Sequence, residues 1–172
     1  KIDLLERAIV FVFFYLRKIF LFFSILFRVK FIIAEPKKAK NILFDDTNFN
    51  ASKILFKNKN YFILKTRIER ISEIYLSKKI ITYLLKNFNT RSIKQNYLAA
   101  MIISINPKNV VTIIDNSIDF FIQAKIFRKK PINFIAVQNA HTEDTSERVK
   151  KNRFMTKYYT FSNFEKKVFK NK

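Results

Sequence analysis

NVVTIIDNSIDFF, Asn109 to Phe121, decides the fold. It opens as a β-branched apolar run, Val110 to Ile114, and turns polar at Asp115, Asn116 and Ser117. Apolar residues return at Ile118, Phe121 and Ile122, now at helical spacing. A continuous apolar run, a polar break and a 3.6-residue period predict a buried strand, a turn and a helix. An acid and an amide at the end of a buried strand either cap the following helix or face a ligand crevice.

Working outward, the same alternation recurs. The pattern predicts strands over 41–44, 61–64, 132–137 and 157–161. It predicts helices over 51–56, 71–87, 92–105 and 163–170. Strands alternating with helices imply an α/β, Rossmann-like, mainly parallel sheet with helices on both faces. The runs at 110–114 and 132–137 carry no polar alternation, as expected of strands covered on both sides.

The strands end in polar residues: Asp45-Asp46, Thr66-Arg67, Asp115-Asn116, Gln138-Asn139 and Ser162-Asn163. Open α/β sheets bind ligands beyond the carboxyl ends of their strands. Asp115, Asn116, Gln138 and Asn139 are therefore candidate crevice residues, with Arg67 as an anion contact. Each has a simpler alternative. Asn116 or Ser117 suits a helix N-cap, Ser162 with Glu165 makes a capping box, and Asp45-Asp46 ends a strand. Arg67 could pair with Glu69 or hold a phosphate or carboxylate. His141, the single histidine, sits in the polar stretch HTEDTSER and becomes an acid or base only if a sugar or phosphate reaches it.

The 172-residue chain contains no glycine and no cysteine. Ordinary usage would supply about a dozen glycines. Phosphate loops of the P-loop or dinucleotide type are thereby excluded, as are RRM and KH signatures. Positive-φ turns fall to Asn and Asp. Disulfides and thiolate metal sites are excluded, and one histidine leaves no His-based zinc site. Net charge is +21, from 34 Lys and Arg against 13 Asp and Glu, which favours polyanionic surroundings.

Residues 9–33 are the most apolar stretch, interrupted by Arg17-Lys18, Arg28 and Lys30. A spanning helix needs about 20 apolar residues in a row. The expectation is a basic, aromatic helix at an anionic membrane surface, ahead of a core helix and a true span. The domain reading is a membrane-associated helical segment over 1–34, a linker over 35–40 and a Rossmann-like domain over 41–172.

Five pieces stand in a recognisable order: KNILFDD at 40–46, LKTRIE at 64–69, INPKNVVTIIDN at 105–116, INFIAVQNA at 132–140 and YYTFSNFEKKVFK at 158–170. Together they resemble the N-terminal half of bacterial surface-carbohydrate biosynthesis proteins, transferases of GT-B-like, two-Rossmann architecture. Two positions depart from that family, which has Gly where this chain has Ile68 and Ala140. The resemblance implies the acceptor-side domain of a glycosyltransferase-like protein, peripheral on the cytoplasmic face of the cell membrane. The implied partners are a glycan or lipid-linked acceptor, an anionic membrane surface and a second Rossmann domain. A nucleotide-sugar donor would belong to that C-terminal half, so no cofactor is expected on this chain and no turnover from it alone. The chain begins at Lys1 rather than Met, which is compatible with a fragment or a processed product. The alternatives are a basic RNA-binding protein of the organellar ribosomal type, or a polyol-phosphate polymer transferase on the same fold.

Overall fold

The computed structural model describes residues 27–45, 56–57, 60–114, 117–138 and 154–159. In chain order these give β1 (Lys30–Ile32), β2 (Asn41–Phe44), β3 (Tyr61–Leu64), a 3-10 turn (Ile68–Arg70) and β4 (Glu73–Tyr75). Helices α1 (Lys78–Lys86) and α2 (Ile93–Ile105) follow, then β5 (Asn109–Thr112), α3 (Ile118–Ile126), β6 (Asn133–Val137) and β7 (Lys157–Tyr159).

The fold is α/β. A five-stranded sheet runs β3-β2-β5-β6-β7, every neighbouring pair parallel. The expected strands at 110–114 and 132–137 lie side by side, with Val110 opposite Phe134 and Val111 opposite Ile135. Numbered within this sheet, the strand order is 2-1-3-4-5, the flavodoxin-like form of the doubly wound arrangement. The chain leaves β2 toward β3 on one side, then returns across β2 to lay β5 on the other.

Connections of a single hand that run in opposite directions along a sheet must cross on opposite faces. The packing follows that rule. Alternate residues Ile42, Phe44, Leu64, Val110, Phe134 and Ala136 meet all three described helices in one core. The other face, Leu43 and Val111, is covered by Phe56 from the β2–β3 connection. Helices α1, α2 and α3 thus lie on one face, and on the other the one described helical position is Phe56, the end of the helix expected over 51–56. The stretches 46–55 and 160–172, which contain most of the helix expected over 51–56 and all of that over 163–170, lie outside the described residues.

Aromatic rings fill the core. Phe120, fully buried, meets Phe44 at 5.6 Å and Phe134 at 5.5 Å, both edge-on. Such pairs add about 0.5–1.5 kcal/mol each beyond the area they bury. Helix α2 is buried from Leu98 to Ile102 and stops where Asn106 turns left-handed, at φ 55°. In a chain without glycine, Asn106 takes the helix-ending position and Pro107 prevents continuation. Asp45 (φ 64°) is another such residue.

Two expectations are corrected. The helix expected over 71–87 begins only at Lys78, and Glu73–Tyr75 is a strand. Ile74 and Leu76 stand two apart, a strand period, and Ser77 caps α1 by accepting from the Ile80 amide at 3.3 Å. The helix expected over 9–33 is, at its described end, helical at 27 and 28 and then gives way to strand β1. Phe31 pairs with Ile74, and the Leu76 amide donates to the Ile32 carbonyl at 2.8 Å. The pairing crosses the expected boundary at residue 34. The rest of that segment lies outside the described residues, among which no helix is long and apolar enough to cross a membrane.

The amino ends of three adjacent strands carry an asparagine ladder. Asn109 Nδ2 donates to Asn41 Oδ1 at 2.9 Å, and Asn133 Nδ2 donates to Asn109 Oδ1 at 3.1 Å. The opposite, carboxyl edge is left to the site.

Candidate functional site

A doubly wound sheet opens a crevice where its strand order reverses, at the carboxyl ends of the two strands concerned. Here those strands are β2 and β5. Thr112, at the end of β5, ties the two ends together: its hydroxyl donates to the Phe44 carbonyl at 3.2 Å and accepts from the Ile114 amide at 3.1 Å.

Asp45 follows directly on β2. Its amide donates to the Leu64 carbonyl at 2.9 Å, and its left-handed backbone ends the strand. Its carboxylate Oδ2 accepts from Arg67 Nε at 2.9 Å, with the acid 3% exposed and the base 37%. The ion pair therefore has a buried acidic end and an open basic end. Among the described residues this is the one side-chain hydrogen bond Arg67 makes, and the guanidinium, which carries further donors, lines the crevice.

The facing wall comes from α2 and α3. Lys94 Nζ lies 2.6 Å from Asp119 Oδ2, and Gln95 Nε2 donates to the other carboxylate oxygen. Gln95 is in turn fixed by Gln123, fully buried, whose Nε2 donates to Gln95 Oε1 at 2.7 Å. This chain of amides sets the Asp119 carboxylate in the first turn of α3, where the helix N-terminus favours negative charge. Ser117 caps the same turn by accepting from the Phe120 amide at 3.4 Å.

Between the walls is a cavity of about 590 Å³, bounded by Asp45, Arg67 and Glu69 on one side and by Lys94, Asp119 and Ser117 on the other. It offers carboxylate acceptors beside guanidinium and ammonium donors. Such alternation suits a ligand rich in hydroxyls, since each hydroxyl both donates and accepts. Among the described residues no three His, Cys, Asp or Glu side chains gather as a metal site would require.

Of the sequence candidates, Arg67 lies in the crevice, and its described partner is Asp45 rather than Glu69. Gln138 is buried beyond β6, its amide donating to the Tyr159 carbonyl at 2.9 Å, and it does not line the crevice. Asp115, Asn116, Asn139 and His141 lie outside the described residues. Asp115 and Asn116 join Ile114 to Ser117, both of which line the crevice. Asp45 stands among the polar strand ends but not among the named crevice candidates, and the sequence reading gives Lys94, Gln95 and Asp119 no role. The one sequence signal for Asp45 is an acid directly after the apolar run Ile42 to Phe44. Nothing local marks Lys94 or Asp119.

Compared with protein families, with curated proteins and with solved structures, the chain matches none.

Proposed function

We propose that this chain binds a glycan acceptor at the β2–β5 crevice, as the acceptor-side domain of a glycosyltransferase-like protein in surface-polysaccharide assembly. One observation carries the reading: the sheet reverses its strand order where the Asp45–Arg67 and Asp119–Lys94 pairs face one cavity. Arg67 and Lys94 donate to sugar oxygens, and the carboxylates accept from sugar hydroxyls. The candidate general base for transfer is His141, read from the sequence alone. The nucleotide-sugar donor belongs to a second α/β half in this scheme. The setting is the cytoplasmic face of the cell membrane, a reading that rests on the apolar, basic stretch 9–33.

Calorimetric titration with neutral oligosaccharides tests the reading, with thermal melts of each variant. Wild type should bind, and Arg67→Ala and Lys94→Ala should each weaken binding at least tenfold while retaining a cooperative melt. Sugar binding unchanged in both variants would overturn the assignment. RNA binding with a steep salt dependence and no sugar binding would replace it with the polyanion reading.

A further inference from the structure

A second cavity, of about 460 Å³, adjoins the first. Its floor is Leu98 and Met101 of α2, each only 2% exposed. Phe62 of β3, Ile74 of β4 and Leu84 of α1 wall it, all half-buried. The Tyr97 hydroxyl at its side is occupied, accepting from the Tyr75 amide at 2.9 Å. An apolar space of this size, built on well-packed side chains, falls in the range of small-ligand pockets.

Its position relative to the polar crevice gives it meaning. Thr66 and Lys94 line both cavities. Thr66 is buried and Lys94 spans from α2 to Asp119, so the two form the boundary between an apolar compartment and a hydroxyl-binding one. A free sugar leaves the apolar compartment to water, and a simple lipid leaves the charged crevice unused. A molecule with both parts satisfies both compartments.

The geometry points to a glycosyl amphiphile as the ligand: one aliphatic chain in the Leu98–Met101 cavity, with its sugar head in the Asp45–Arg67 crevice and the junction passing Thr66 and Lys94. This inference rests on the crevice reading above and narrows the acceptor from glycan to glycolipid.

The test compares methyl β-glucoside, octyl β-glucoside below its micelle concentration, and 1-octanol, titrated calorimetrically into the full chain. Octyl β-glucoside should bind one per chain and at least tenfold more tightly than methyl β-glucoside. Ile74→Trp, which fills the cavity, should reduce its affinity to that of methyl β-glucoside and leave the latter unchanged. Ile93→Trp serves as a second variant, because Ile93 also lines the cavity but is 65% exposed, so a larger side chain there does not overpack the core. Equal affinity for the two glucosides overturns the inference and leaves the crevice reading standing. Octyl β-glucoside binding no better than 1-octanol, with no methyl β-glucoside binding, overturns both. Tighter octyl binding that neither tryptophan disturbs places the chain elsewhere and overturns the inference alone.

Discussion

The Asp45 carboxylate and the Arg67 guanidinium, from the ends of adjacent strands β2 and β3, meet at 2.9 Å with the acid buried and the base half-open. Truncating the open partner should therefore cost more than neutralising the buried one. Arg67→Ala removes the charge that compensates a buried carboxylate, with an expected loss of about 1–3 kcal/mol. Asp45→Asn removes the charge itself and keeps a residue suited to positive φ, so the loss should be smaller. Urea denaturation of both singles and the double gives the coupling. Additive losses in that cycle would contradict a paired role.

Much of this site lay beyond what local pattern carries. The strands at 41–44 and 61–64 were legible because apolar runs between polar breaks are a local signal, and both occur with the expected bounds. Helix α2 was legible because Ser92 opens it and Asn106-Pro107 closes it. Strand β4 was not, since three residues pair with a strand far back in the chain and the Ile80–Leu84 helical period runs on from them. Strand order is likewise non-local. Nothing near Asp45 states that β5 will lie beside β2, and without that fact Asp45 is only the end of a strand. Lys94 and Asp119 sit on different helices and become neighbours only through packing.

The asparagine ladder should behave as a unit with a strong centre. Asn109 takes part in both side-chain bonds, one as donor and one as acceptor, while Asn133 at the exposed end makes only one. Asn109→Ala should cost about 1–2 kcal/mol and Asn133→Ala clearly less, from about 1 kcal/mol per bond and solvent competition at the open end. Sugar affinity should not change in either, because the ladder lies at the opposite end of the strands. Equal destabilisation by the two substitutions would argue against a ladder.

All three described helices start on a serine whose hydroxyl accepts from the amide three residues on: Ser77 to Ile80, Ser92 to Gln95 and Ser117 to Phe120. Each Ser→Ala change should cost about 1 kcal/mol. Ser117→Ala should also weaken sugar binding, since Ser117 lines the crevice and caps the turn that carries Asp119, and Ser92→Ala should do so less, through the turn that carries Lys94, while Ser77→Ala should leave binding unchanged. Thermal melts paired with calorimetry separate the two effects. Similar losses of affinity from Ser77→Ala would show that binding follows overall stability instead.

Tyr97 supplies the pH dependence. Burial pushes its hydroxyl up from 10.0 to about 12, because the phenolate would sit partly out of water, and the bond from the Tyr75 amide offsets only part of this. Between those two pH values the unfolded chain has released the Tyr97 proton and the folded chain still holds it. Stability from this group is thus complete below pH 10 and is lost as pH rises through about 12. Tyr97→Phe should cost about 1 kcal/mol at neutral pH, since the Tyr75 amide loses its acceptor. That deficit should narrow in alkali, where the wild type surrenders its advantage and the phenylalanine variant has no such proton to lose. Urea midpoints of the pair across the alkaline range measure it. A deficit that stays constant from neutral pH through strong alkali would mean that Tyr97 ionises alike in the folded and unfolded chains.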